Sequence, residues 1–403
     1  MQRWPSSAHA PSMKRSRTAR RNRPTPDLET LIQLSQALGE ASSRIEDEFW
    51  EHRLVALVEG LLSSDDDETL NAALDGLFQR SERGYDSLAD LIEGRCESRR
   101  GTSDAENDIL LISLPILAWS RYAIPSGTVP PSVLANVRVQ LQAHILAAGC
   151  RIGLANMLFS PDQLPGGFSE VFALTDSLGK AALQDRDTAI DPKQLPETVN
   201  FLSDTRYLLC AVAVPHGAPI FRWQEEDGDR AEALRRWQTQ GGEALRMLLP
   251  ACASEPLLPL AFYAAYREAD RASRPYALRA AADFLNAALG IPPEQLTAVV
   301  APFHDHGLEE YRIGLALTNS SQVIQGTIWP LLEAEDESTD IPGQIEAVLN
   351  EIGVGRIVLL DQQFPMEFCD DCGAPLYPNP EGEPVHAELP EDDNTMATPR
   401  HLH

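Results

Sequence analysis

A helical pattern of apolar positions begins after the first 26 residues. Between residues 45 and 61, apolar side chains recur at intervals of roughly three and four, as on one face of an α-helix. They are Ile45, Phe49, Leu54, Leu57, Val58 and Leu61. Ser64 and the acidic run after it predict the start of another helix, because a hydroxyl N-cap and carboxylates suit the positive end of the helix dipole. Residues 27–100 are therefore predicted to form a helical region.

Beyond residue 101, apolar segments alternate with helical patterns. Ile109–Trp119 is almost continuously apolar and contains Pro115, so it fits either a buried strand or a short helix, and its periodicity does not separate the two. Strand-like segments at 152–159 and 207–214 are followed by helical patterns at 168–184 and 229–249. This alternation predicts a mixed α/β domain over 101–253.

Strand patterns dominate the segment 254–364, which we predict to be an α+β domain. It opens with a helix over 274–289, for which Ser273 is the predicted N-cap and Pro275 lies in the first turn. Alternating apolar positions then predict three consecutive strands, a helix and a last strand, at 296–303, 311–318, 323–331, 343–351 and 357–360.

The fold class that follows is α+β. It comprises a helical N-terminal region, a central mixed α/β region and a C-terminal three-strand α+β element, which carries a zinc-knuckle-like tail.

The most specific chemical motif lies in this acidic tail, 365–403. Cys369 and Cys372 are separated by two residues and followed by Gly373, an arrangement that lets both thiolates reach one ion around a tight turn. Zinc needs four ligands, and the remaining ones are expected from the downstream histidines His386, His401 and His403. The sequence therefore predicts a Zn²⁺ site made by the two cysteines, His386 and one of the two terminal histidines.

A thioredoxin-like redox pair is the alternative role for the same two cysteines. That motif normally opens a helix after a strand, whereas Pro375 and Pro378 follow here, which favours the metal site.

Arginines near the predicted helix over 274–289 form a candidate anion site. They are Arg267, Arg271 and Arg274. Guanidinium groups close to a helix N-terminus suit a phosphate or carboxylate ligand. Glu268 and Asp270 are interleaved with them, however, and favour an internal network of ion pairs over a ligand site.

Charge restricts the classes of partner. The chain has 60 acidic and 33 basic residues, a formal net charge of −27. Residues 1–25 hold seven of the basic residues and no acid, and 1–26 are predicted to be a disordered basic arm. Because nucleic acids and membrane surfaces are polyanions, the acidic body argues against broad binding to either. We expect no membrane partner, and nucleic acid only through the arm.

Cysteine usage and targeting signals indicate the compartment. No stretch approaches 18 consecutive apolar residues, and no apolar core follows the basic arm as it would in a secretory signal. Cys150, Cys210 and Cys252 lie in apolar contexts, as buried thiols do in a reducing environment. We expect a cytoplasmic protein.

Several runs together resemble an uncharacterised bacterial family that is defined only as a domain of unknown function, DUF2863. They include ILAWSRYAIPSG, AVPHGAPIFRWQEEDG, YREADRASRPYALRAA, EYRIGLAL and FCDDCGAPLYPNPEGEPVHAELPED. The resemblance extends from about residue 40 to the C-terminus. It implies one coherent bacterial protein, transfers no activity or catalytic residue, and includes the cysteine motif.

The chain contains no phosphate-loop, dinucleotide, serine-nucleophile or calcium-loop motif. The expected function is therefore a non-catalytic interaction or regulatory protein, with an unidentified protein partner and a metal-stabilised tail. One alternative is an enzyme that acts on an anionic small molecule through the arginine-bearing loops. A second is a nucleic-acid-binding protein that uses the basic arm and the knuckle.

Overall fold

Four helices open the part of the chain that is described. A computed structural model describes residues 25–101, 106–199, 201–332 and 335–389, so the predicted basic arm lies almost wholly outside it. The helices are α1 (Pro26–Gly39), α2 (Arg44–Ser63), α3 (Asp67–Phe78) and α4 (Glu82–Glu97). They confirm the helical pattern. The N-cap of α3 is Asp66, whose carboxylate accepts the Thr69 N–H, and not the predicted Ser64.

Strands of the first sheet follow, and they settle the ambiguity of Ile109–Trp119. In chain order they are β1 (Ser98–Arg99), β2 (Asn107–Trp119), β3 (Gly127–Thr128), β4 (Arg151–Leu154), β5 (Met157–Leu158), β6 (Ser203–Pro215), β7 (Ala253–Pro256) and β8 (Leu260–Ala261). The sheet order is β1-β2-β6-β4, with β7 and β8 also on β2, and every pairing is antiparallel. The strands β3 and β5 form a separate pair.

Helices cover both faces of this sheet. They are α5 (Pro131–His144), α6 (Phe168–Ala182), α7 (Arg230–Arg236) and α8 (Gly242–Arg246), the last two joined by the π-helical turn Trp237–Gly241. Leu111 of β2 shares one core with α1–α4 and α6, whereas Ile112 shares another with α5 and α8. Because both faces are buried, the alternation expected of a strand is hidden in a continuous apolar run.

The next helix, α9 (Phe262–Leu289), is longer than the predicted one. The predicted start at residue 274 is wrong, since Pro275 lies inside the helix and the Ser273 hydroxyl donates to the Asp270 carbonyl at 2.8 Å. Both halves of α9 are buried, with Ala269 in a core of the first sheet and Leu285 in that of the second. This packing outweighs the backbone hydrogen bond that proline removes.

The second sheet confirms the three predicted strands. Its elements are β9 (Leu296–His304), β10 (Leu308–Leu317), β11 (Val323–Pro330), α10 (Ile341–Ile352), β12 (Arg356–Leu359) and β13 (Phe364–Pro365). The order is β11-β10-β9-β12, with β12 and β13 parallel to β9 and the other pairings antiparallel. One face packs on α9 and α10 through Val300, Ile313 and Leu349.

A hairpin of the tail lies on the opposite face of the second sheet. It consists of β14 (Tyr377–Pro378) and β15 (Pro384–Val385). Two glycines make room for it, because a Cβ on Gly314 would lie 2.2 Å from the Pro378 carbonyl oxygen and one on Gly326 would lie 2.3 Å from the Tyr377 ring. Burial of the Tyr377 ring of this hairpin against the sheet raises its pKa to about 12. The described part of the tail is therefore a packed layer of the fold.

Helices and several sheets together confirm the α+β class. The predicted boundaries between domains stay predictions. Among the described residues, no helix combines the length and the apolar character needed to cross a membrane.

We predict that Gly314→Ala destabilises the fold by about 1–3 kcal/mol, because the new methyl group overlaps the backbone of the tail. The control is Gly307→Ala in the β9–β10 turn, where an added Cβ meets no atom within 4 Å. The free energy of unfolding is measured in guanidinium chloride. Equal destabilisation by the two variants would contradict the packing of the tail on Gly314.

The contact between α4 and α9 is expected to make the stability of the fold depend on pH. The Glu97 carboxylate accepts the Tyr263 N–H at 2.9 Å, and burial raises the pKa of Glu97 to about 7. The fold thus favours the protonated carboxyl. Its contribution to stability is fully present below the ordinary pKa of 4.5 and is lost as the pH rises through 7.

Glu97→Gln removes this ionisation and is expected to gain stability over the unaltered chain as the pH is raised. The gain between pH 5 and pH 8 should be on the order of 1–2 kcal/mol. Urea unfolding of both proteins at the two pH values measures it. A difference that does not change with pH would show that Glu97 does not titrate in this way.

Candidate metal centre

Three predicted ligands converge in the tail. One ligand atom each from Cys369, Cys372 and His386 lies within 4.8 Å of the other two. The Cys372 Sγ and the His386 Nε2 are 3.3 Å apart. In a tetrahedral zinc site, with metal bonds of about 2.3 Å to sulfur and 2.0 Å to nitrogen, such atoms are separated by roughly 3.5 Å. The spacing of these donors therefore fits a metal ion.

The local backbone explains how the two thiols reach one side of the loop. The Cys369 N–H donates to the Ala374 carbonyl and the Gly373 N–H donates to the Cys369 carbonyl, both at 2.7 Å. Gly373 has a φ of +74°, which a residue with a side chain rarely adopts. Phe368 and Pro375 then pair across the loop as an isolated bridge. The glycine predicted for this turn is thus required by its geometry.

The β14–β15 hairpin brings the histidine to the cysteines. Tyr377 pairs with Val385, so the next residue, His386, lies beside the start of the hairpin and close to the cysteine loop. The turn is held by Asn379, whose side-chain oxygen accepts the N–H groups of Glu381 and Glu383 at 3.0 and 2.9 Å. The short hairpin thereby brings His386 into contact with Cys372, although the two are 14 residues apart in the sequence.

Hydrogen bonds and burial act differently on the two thiols. The backbone N–H groups of Cys372 and Asp371 hold the pKa of Cys369 below its ordinary value, because they stabilise the thiolate. Burial instead raises the pKa of Cys372. The His386 Nδ1 lies 3.6 Å from a Glu388 carboxylate oxygen, on the side of the ring away from the cysteines. This distance is too long for a hydrogen bond, but the carboxylate lies on the ring nitrogen that commonly bonds to an acidic group when Nε2 binds a metal.

Arg312 of β10 connects this loop to the second sheet. Its Nη1 donates to the carbonyls of Glu367 and Leu376, at 2.7 and 2.9 Å. Its Nε donates to the Glu310 carboxylate at 2.6 Å, and the whole side chain is buried. The loop that contains the two cysteines is thus hydrogen-bonded to the buried guanidinium of the second sheet.

Arg312 and Glu310 are not among the site residues that the sequence predicts. A signal exists, since two opposite charges two residues apart in a strand point to the same face, and the other residues of that face, Leu308, Gly314 and Ala316, are apolar. Burial of such a pair is uncommon unless each charge is compensated.

The two terminal histidines, His401 and His403, lie outside the described residues. Their assignment as the fourth ligand stays a prediction.

The three arginines of the candidate anion site do not share a partner. Arg267 pairs with Glu93 at 2.7 Å, Arg271 with Glu268 at 3.4 Å and Arg274 with Glu335 at 2.6 Å. All three lie within α9 and not before a helix, because α9 starts at residue 262. Anion binding by this set stays a prediction.

Comparison with known proteins finds one family. The family model described as "Protein of unknown function (DUF2863)" matches residues 16–401, nearly the whole chain, and confirms the resemblance noted in the sequence. No curated protein and no solved structure matches the chain.

Proposed function

The chain belongs to the DUF2863 family of proteins of unknown function, and we propose that it is a zinc-binding, non-catalytic interaction or regulatory protein of the cytoplasm. The observation that carries the proposal is the convergence of Cys369, Cys372 and His386, which come from a loop and a hairpin. The zinc ion fastens the tail, and the tail contacts a protein partner.

The donor set supports zinc as the metal. Two thiolates and one imidazole are soft and borderline donors, which suit Zn²⁺ and exclude the oxygen-preferring Mg²⁺ and Ca²⁺. Three such ligands need a fourth to close the tetrahedron. In this proposal His401 or His403 supplies it, so the site has no open position for a substrate and is structural.

The surroundings of the site support a structural role as well. The hairpin packs on Gly314 and Gly326, and both ends of the cysteine loop are bound through their carbonyls. All six cysteines are free thiols, which agrees with a reducing cytoplasm, where zinc and not a disulfide commonly staples a small loop-rich segment.

We predict that the purified full-length chain contains about one equivalent of zinc. Cys369→Ser should lose most of this zinc and lower the melting temperature, because a site with one thiolate fewer cannot hold the ion. Elemental mass spectrometry measures the metal, and differential scanning fluorimetry with and without a chelator measures stability.

The matched control is Cys252→Ser, which replaces a partly exposed cysteine outside the tail and should keep its zinc. The double change His401→Ala, His403→Ala should lower zinc affinity where either single change does not. Well under one equivalent in the unaltered chain, with no effect of Cys369→Ser on metal or stability, would overturn the zinc site.

The partner is tested by co-purification from cells of the native organism, with quantitative mass spectrometry. We expect a protein that is recovered reproducibly with the unaltered chain and with Cys252→Ser, and is lost with Cys369→Ser because its contact depends on the ordered tail. A chain that has no reproducible partner but turns over small substrates would contradict the non-catalytic role.

A further inference from the structure

We propose that Arg312 is a positioning residue for the metal site and sets its affinity for zinc. The inference rests on the proposed zinc site and goes beyond it, since Arg312 is not a ligand. In this proposal the guanidinium holds the cysteine loop in its metal-binding shape before the ion arrives.

The Nη1 of Arg312 contacts both ends of the cysteine loop. This single nitrogen donates to the Glu367 and Leu376 carbonyls at 2.7 and 2.9 Å. Glu367 precedes Cys369 by two residues, and Leu376 follows Cys372 by four. The same nitrogen therefore ties the two ends of the loop that contains both thiols, and it limits how far the loop can open.

The other contacts of the guanidinium fix its direction. The Nε donates to Glu310 at 2.6 Å, and the Nη2 lies 3.6 Å from the Met366 sulfur. The rings of Phe303 and Phe368 lie 4.3 and 5.0 Å from the guanidinium carbon. With 0 % of the side chain exposed, Arg312 has no alternative position in water.

These constraints predict an effect on metal affinity as distinct from overall stability. A loop that is closed in the metal-free state loses less conformational freedom when it binds the ion, so its affinity is higher. By linkage, the bound ion holds the loop carbonyls on Arg312 to the same extent. Lysine cannot replace arginine here, because an ammonium lacks the planar fork that serves Glu310 and both carbonyls together.

The first experiment measures the zinc dissociation constant of the full chain by competition with a chromophoric chelator. Arg312→Lys should bind zinc 10- to 100-fold more weakly, the range typical for loss of a group that orients metal ligands. The matched control is Arg206→Lys in β6. Arg206 is also fully buried, pairs with Asp204 and donates to the Pro125 and Ile124 carbonyls at 2.8 Å, but lies in the first sheet.

Both lysine variants are expected to lower the melting temperature, and only Arg312→Lys should change the zinc affinity, with less than a twofold change for Arg206→Lys. A second variant, Glu310→Leu with Arg312→Met, removes both buried charges and replaces them with apolar groups, an exchange that proteins often tolerate. It should fold and show the same loss of affinity, so it decides the question if Arg312→Lys does not fold.

Unchanged zinc affinity in Arg312→Lys, or in the double variant if that alone folds, would overturn the positioning role and leave the zinc site standing. Absence of zinc binding by the unaltered chain would instead overturn the site and this inference with it. Equal weakening by Arg206→Lys would also overturn the inference, because the effect would then follow from general destabilisation.

Discussion

The tail of this protein depends on the hydrogen bonds of one buried guanidinium, that of Arg312. Removal of an arginine from water costs several kcal/mol unless each of its donors finds a partner. The nitrogens of Arg312 contact one carboxylate from its own strand and two backbone carbonyls and a methionine sulfur from the tail, and two aromatic rings lie against the guanidinium. The second sheet therefore completes its interior only when the tail lies on it.

Shared packing also joins the two sheets, through helix α9. Helix α9 contributes Ala269 to a core of the first sheet and Leu285 to that of the second, so neither core is complete without it. The candidate metal centre lies at the end of a series of layers, in which the tail rests on the second sheet and that sheet rests on α9 and α10. The positions of the ligands thus depend on packing far from them.

Much of this arrangement was predictable, because its signals are local. The spacing of Cys369 and Cys372 and the following glycine predict a loop that could hold a metal ion, and plain alternation of apolar residues predicts the strands β9, β10 and β11. His386 was a candidate by chemistry alone, and the hairpin that delivers it was not predicted. Metal binding itself, the identity of the metal and the fourth ligand stay predictions.

Other features depend on contacts that no local pattern contains. Because both faces of β2 are buried, its sequence does not alternate as a strand is expected to. Helix α9 continues past Pro275 because it packs on two cores. Arg312 donates a hydrogen bond to the carbonyl of Glu367, which is 55 positions away in the sequence. The sequence alone does not indicate that the two residues are neighbours. The three candidate arginines among the four of α9 are a further example, since two of them pair with Glu93 and Glu335, which are remote in sequence.

The place of the tail in the chain has a consequence for biosynthesis. Residues 369–386 follow every strand on which they rest, so translation delivers the ligands after the second sheet has been made. Small zinc fingers fold around their ion, which acts as their nucleus. Here a captured ion would act last, as a closing step that covers Arg312. A nascent chain would expose that cation until residues 367–376 have left the ribosome.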